Sequence, residues 1–238
     1  MVATSEDLSV LSSLLDDITL SKKMLIIEKV NLDKQDNLYA LYHFFESKLL
    51  QNQSLPDCID GTIYKLLMNS KDIEILNLLK TNFKDGLLNN NSKFFSSYVK
   101  LQQLLLDNDF QEADIVTSQL LCLLADLNNR QWLYFSDVGK IPPNELKILD
   151  NLWKIFSKGK FGFSVQRQLW LNSDKDWNQL WDKIGWRHQE TLSRYPEGFI
   201  WDVSAPVGHL PLSNQLRGVQ TINSLFQLKI WNGDDLTI

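Results

Sequence analysis

The chain reads as an all-α protein, with an N-terminal helical bundle over residues 1–88 and a helical core domain over 89–238 that carries long ordered loops. Three observations predict this. Apolar residues recur at helical spacing along much of the chain, and no alternating strand pattern reaches a useful length. Composition also changes part-way: all eight Trp and all five Arg lie at or after Arg130, and eight of the ten Gly follow Gly86. At 238 residues the chain is long enough to bury a core without disulfides or metal.

The first part carries short Leu/Ile-striped helices. LYALYHFFESKLL places Leu38, Leu41, Phe44, Phe45 and Leu49 close to one face, and GTIYKLLM and IEILNLLK read alike. DGLLNNNSKFF is a linker, with Gly86 and three Asn as breakers. FQEADIVTSQLLCLLAD follows as a helix with Phe110, Ala113, Thr117, Leu120, Leu121 and Leu124 on one side. Ile115 and Cys122 fall nearly opposite, which predicts cover on both sides of this helix. No fixed repeat of 30–45 residues is visible, so a solenoid is not expected.

Stop and start signals then multiply. Pro142-Pro143 opens a helix that carries Leu146, Leu149, Trp153 and Phe156 and ends near Gly159. SVQRQLWL is a short helix with Ser164 as its expected N-cap. SDKDWNQLWDKIG puts Trp177, Leu180, Trp181 and Ile184 on one face and stops at Gly185.

Several function classes lose support at this point. The net charge of −5 argues against a nucleic-acid binder that relies on a global basic field. Cys58 and Cys122 are far apart and read as reduced thiols. No run of about 18 apolar residues exists, so any membrane association is expected to be peripheral. There is no nucleophile elbow, phosphate-binding loop or His-Glu-x-x-His, and His43, His188 and His209 lack metal-ligand spacing. The chain is not expected to be an enzyme or to hold a metal. His209, beside Gly208, is expected to be a hydrogen-bonded loop anchor; axial ligation of a metal centre is the weaker alternative.

What remains is binding. Trp153, Trp177 and Trp181 suit a core filled with large side chains. Phe135, Phe161, Phe163, Tyr195, Phe199 and Trp201 fall outside helical periodicity, in or beside loops bearing Gly and Pro. The helix after GFIWDVSAPVGHLPLSNQLRG has a core stripe of Leu216, Val219, Ile222 and Phe226, with Asn214, Arg217 and Thr221 aligned on the other side. An apolar loop beside an Arg/Asn line suits a large, flat, apolar ligand with acidic appendages, which Arg217 would grip by charge-assisted hydrogen bonds. The alternative is a helical protein-interaction module whose aromatic loops are a docking face.

RQWLYFSDVGKIP, FGFSVQRQLWL, LWDKIGW and GFIWDVSAPVGHLPLSNQLRG, in this order and spacing, resemble the core of the Genomes-Uncoupled Four family over about residues 130–228. That resemblance implies a helical core that binds protoporphyrin IX and its magnesium complex without catalysis. It also implies association with the large porphyrin-binding subunit of magnesium chelatase and stimulation of magnesium insertion. Carried over, Phe135 and Val138 form a pocket wall, Tyr195 lies in a loop over the pocket, and Asn214 with Arg217 marks the polar edge. Phe163, Phe199 and Trp201 complete the candidate porphyrin contacts. The chain has Tyr195 where relatives often have Trp, and Gln220 where they have a second basic residue. An acidic start, 19 Lys against five Arg and 19 Asn suggest synthesis inside a plastid, with the stroma as the site of action, or else a cyanobacterial cytoplasm.

Overall fold

The computed structural model describes residues 18–52, 54–87, 92–127, 130–212 and 219–232. Among the described residues are ten α-helices and one two-residue β-ladder, so the protein is all-α. The chain divides into two compact units, Met1–Asn89 and Asn90–Ile238.

In the first unit, α1 (Leu20–Glu28), α2 (Gln35–Glu46), α3 (Cys58–Met68) and α4 (Ile73–Asn82) form the bundle, and α2 runs on into a π-helical turn, Ser47–Gln51. α2 packs on α3 and α4, and α1 packs on α3. Leu41, Phe45, Ile63, Leu67 and Ile75 lose all their exposed surface there. The Phe45 ring lies 4.7 Å from Phe83 and 5.9 Å from Tyr64. α3 starts at a capping box in which Asp57 accepts from the Ile59 and Asp60 amides, and Asp60 accepts from the Asp57 amide. Lys48 Nζ stands 2.7 Å from both carboxylates. Burial and the Asp57 charge push the pKa of Asp60 up to about 6, against the pull of Lys48.

The second unit comprises α5 (Phe95–Leu106), α6 (Phe110–Leu124), a 3-10 turn at Phe135–Lys140, α7 (Pro143–Phe156), α8 (Phe163–Leu171) and α9 (Trp177–Lys183). The strands β1 (Arg187–His188) and β2 (Thr191–Leu192) follow, then α10 (Gln220–Phe226) and a final 3-10 turn, Lys229–Asn232. The strands pair antiparallel with Arg187 opposite Leu192. α5 packs on α6 and α7, α8 on α9 and α10, and α10 on the Phe135–Lys140 turn. Tyr98, Phe110, Leu146, Trp153 and Phe161 form the centre of the core. The Trp153 indole donates to Thr117 Oγ1 at 3.0 Å, which satisfies both buried groups.

Two local expectations change. Pro142 and Pro143 do open α7, but Ser164 is not the N-cap of α8; Gly162 occupies that position. Asp150 of α7 supplies the missing acceptor, taking the Ser164 amide at 2.8 Å and its hydroxyl at 2.5 Å. A cap was borrowed from a neighbouring helix, which local sequence does not encode. Thr221, expected on the polar line of the last helix, is buried and donates to the Leu133 carbonyl at 3.5 Å. Its hydroxyl satisfies a backbone group where α10 meets the Leu133 loop.

The Trp-rich composition has a packing explanation. Trp170, Trp177, Trp181 and Trp186 stack in succession, with ring centroids 4.9, 5.4 and 5.1 Å apart. Phe226 of α10 closes the stack against Trp170 and Trp177. Both cysteines are free, Cys122 buried and Cys58 half-buried.

Candidate functional site

The loop after β2 is held rigidly although it has almost no regular structure. The Gly208 amide donates to the Lys160 carbonyl at 2.8 Å, and the Gly162 amide to the Leu210 carbonyl at 3.0 Å. Gln166 Nε2 donates to the carbonyls of Gly208 and Pro211 at 2.9 and 2.8 Å. The Leu212 amide donates to Asp114 of α6 at 2.6 Å. Residues 208–212 are thereby tied to α6, to α8 and to the turn before it.

His209 is the hub of this loop. One ring nitrogen, Nδ1, lies 2.6 Å from the Ile184 carbonyl, and Nε2 accepts the Ile200 amide at 3.0 Å. That pattern sets the tautomer: Nδ1 carries the proton. Burial lowers the imidazole's pKa, so the ring is neutral. Both nitrogens serve the backbone, as the loop-anchor reading expects, and neither is left to ligate a metal. No group of three or more metal-ligating side chains occurs among the described residues.

The pinned loop nevertheless presents apolar side chains to solvent: Tyr195, Ile200, Val203 and Val207 are all exposed, as is Leu192 of β2 before it. A second apolar set, Trp132, Tyr134 and Phe135, is exposed on the segment between α6 and α7. That segment is fastened by Asp137, which takes the Tyr134 amide at 3.1 Å and pairs with Arg130 and Lys140. Arg130 also stacks on the Tyr134 ring, 4.4 Å from its centroid. Burial opposes ionisation of Asp137, but Lys140, the Tyr134 amide and Arg130 outweigh it and hold its pKa below the usual range.

Both sets meet α6. Tyr195 hydrogen-bonds Gln111 near its start, where Asp114 also holds the Leu212 amide, and the charges of Arg130 and Asp137 reach Cys122 at its end. Gln111, Ile115, Ser118 and Cys122 share one face of the helix by their i, i+4, i+7, i+11 spacing. The first three are only half-buried. From Gln111 to Cys122 this face runs about 16 Å at 1.5 Å per residue. Gln111, Ile115 and Ser118 thus leave a half-covered stripe on α6, beside the loop that carries Tyr195. This is the candidate site.

The eight residues singled out from the sequence are placed unevenly. Phe135 and Tyr195 are exposed, 53% and 47%, and Trp201 is half-buried. Tyr195, Trp201 and Phe199 form one contiguous aromatic group, with centroid separations of 5.7 and 6.0 Å. Phe199 is itself buried against Trp186 and His209. Val138 and Phe163 face the interior, with 1% and no exposed surface. Asn214 and Arg217 lie outside the described residues. The flanks of segment 213–218 are defined: Leu212 is bonded to Asp114, and Thr221 is bonded to Leu133. Sequence reasoning missed Asp114. Its signal was present, because it sits inside the apolar stripe of α6, where a carboxylate has no reason to be unless something pairs with it.

A family model described as GUN4-like matches residues 91–229. The ycf53 protein of Porphyra purpurea is 42% identical over 215 residues, covering 90% of each chain. The chloroplastic tetrapyrrole-binding protein of Arabidopsis thaliana is 36% identical over 133 residues, 51% of this chain and 50% of that one. The solved structure of GUN4 from Chlamydomonas reinhardtii superimposes with a TM-score of 0.55 at 34% identity, covering 60% of this chain and 95% of that one.

Proposed function

The chain belongs to the GUN4-like family, and on that premise we propose that it binds a tetrapyrrole at the two apolar loops over α6. One observation carries the reading within this molecule: an apolar loop that exposes Tyr195, Ile200, Val203 and Val207 is already pinned to the core through Gly208, His209, Leu210 and Leu212. A surface ordered in advance binds a flat apolar ligand without the entropic cost of ordering itself. In this reading Phe135, Tyr195 and Trp201 cover the macrocycle, and Val138, Phe163 and Phe199 support them from behind. Asn214 and Arg217 hold an acidic edge group.

The ligands proposed are protoporphyrin IX and Mg-protoporphyrin IX. Binding is non-catalytic and serves to stimulate magnesium chelatase through its large porphyrin-binding subunit, in a plastid stroma or a cyanobacterial cytoplasm. Residues 1–88 and 89–238 act as separate domains, with the ligand on the second. No nucleic acid takes part, and no helix among the described residues is long and apolar enough to cross a membrane.

Titration with protoporphyrin IX, or the more soluble deuteroporphyrin IX, tests the reading. Saturable Trp quenching with a shifted Soret band is expected, and Arg217→Ala should weaken it about tenfold, the scale of one charge-assisted hydrogen bond. An unchanged spectrum at tens of micromolar ligand would overturn it. Added to isolated chelatase subunits, the protein should raise magnesium insertion.

A further inference from the structure

The stack of Trp170, Trp177, Trp181 and Trp186 does not end in the core. Phe199 lies 6.4 Å from Trp186 and 6.0 Å from Trp201, and Trp201 lies 5.7 Å from Tyr195. One unbroken line of neighbouring rings therefore runs from Trp170, 5% exposed, to Tyr195, 47% exposed. Burial of apolar area accounts for the inner rings. It gives no reason for the line to surface, or to surface on a phenol.

Charge is graded along the same line. At the inner end, Lys175 Nζ stands 6.0 Å from the centroid of the Trp170 ring. At the outer end, Tyr195 feels the negative charges of Asp114 and Glu112. A positive charge is thus opposed at Trp170 and favoured at Tyr195. Proton release is graded too. Among the described residues nothing accepts from the buried Trp170 indole. The indoles of Trp186 and Trp201 donate to the His209 and Pro196 carbonyls, which hold the N–H in place. Tyr195 combines exposure with an O–H whose proton can pass to water.

We propose that this line is a one-electron relay, which passes oxidising equivalents out of the Trp stack to Tyr195, where a reductant in solution removes them. It needs no porphyrin and does not rest on the tetrapyrrole reading. A neutral radical oxidant takes one electron from Trp177 or Trp181, the half-buried members of the stack, and is reduced to its anion. The indole becomes a radical cation. Each transfer then draws one electron from the next ring outward and moves no proton. Phe199, too hard to oxidise to carry the charge itself, bridges Trp186 and Trp201. At Tyr195 the phenol gives up an electron and its proton goes to water, which leaves a neutral tyrosyl radical. A thiol or an ene-diol then returns one hydrogen atom to it. The alternative, a cation stranded among buried rings, is costly because an enclosed charge without a partner is strongly disfavoured.

The test generates azidyl radicals, which oxidise indole selectively, by pulse radiolysis in a solution of the full chain without porphyrin. The indolyl radical should convert to a tyrosyl radical in a first-order phase whose rate does not change with protein concentration. Tyr195→Phe should abolish this phase and leave the indolyl absorption long-lived. Trp201→Phe, which keeps an aromatic ring but removes the last stepping stone, should slow it. Tyr39→Phe, on α2 of the first unit, should leave it unchanged. A phase that survives Tyr195→Phe, keeps its rate in Trp201→Phe or disappears in Tyr39→Phe would overturn the relay. A second measurement uses the wild type alone, so that no substitution can disturb the loop: oxidation with a nitroso spin trap present, then digestion and mass spectrometry. The trapped adduct should sit on Tyr195. An adduct confined to the Trp stack or to Tyr134 would overturn the proposal.

Discussion

Trp186 and His209 lock each other in place: the indole Nε1 donates to the His209 carbonyl at 2.7 Å, and the imidazole returns along the chain to the Ile184 carbonyl two residues before Trp186. The ring also accepts the Ile200 amide, so three segments meet on one buried side chain. The apolar loop owes its shape to this knot.

Replacing His209 with Ala should strip Ile184 and Ile200 of their partners and destabilise the second unit by about 2–4 kcal/mol. The pH sign follows from the lowered pKa of the ring. Below the ordinary value of about 6.5 the unfolded His takes a proton that the folded ring refuses, so stability falls on acidification. Relative to His209→Ala, the wild type should lose urea stability between pH 7.5 and pH 5.5, and the change in the difference between their midpoints measures this contribution.

Asp114 acts with the opposite sign. Its folded pKa of about 7 lies above the unfolded value of about 3.9, so the folded state holds the extra proton and loses stability as pH rises through that window. Asp114→Asn removes the buried charge and keeps an acceptor for Leu212. It should raise stability at pH 8 by about 1–3 kcal/mol relative to wild type and leave it nearly unchanged at pH 4.5. Paired urea titrations at the two pH values check this.

In the first unit, Lys48 offsets an otherwise buried acid. Lys48→Met should leave Asp60 and Asp57 facing each other without a cation and cost about 2–4 kcal/mol at pH 7. Adding Asp60→Asn should recover much of that loss. The thermal midpoints of the single and double variants decide it.

Gly162 sits at φ +136°, and a Cβ there would lie 2.8 Å from Asp150 Oδ1, the acceptor of the Ser164 amide. Gly162→Ala should therefore strain the backbone, displace the Asp150 cap and cost about 3 kcal/mol. Gly139→Ala, with nothing within 4 Å of its Cβ, is the neutral control. Chemical denaturation of both variants gives the comparison.

Legibility followed the range of the forces involved. The helices at Gln35–Glu46, Phe110–Leu124 and Pro143–Phe156 could be read because periodicity and proline are local signals. So could the exposed aromatics Phe135 and Tyr195, since a large ring in a Gly- and Pro-bearing loop lacks a helical reason to be there. Phe161 stood in the same class by pattern yet is fully buried, because exposure depends on what packs above a loop and not on the loop's own residues. Ser164 failed as a cap for a related reason: its partner, Asp150, comes from the preceding helix.

The order of residues along the chain was enough for an all-helical protein with an aromatic second part and for membership of its family, because these rest on spacing and on long unusual strings. Tertiary structure decided that His209 is neutral and fully engaged, that Thr221 turns inward, and that Asp114 reaches Leu212. Each of those outcomes is a hydrogen bond between segments far apart in sequence, in a place where water is excluded. Only folding brings such partners together and makes leaving them unpaired costly.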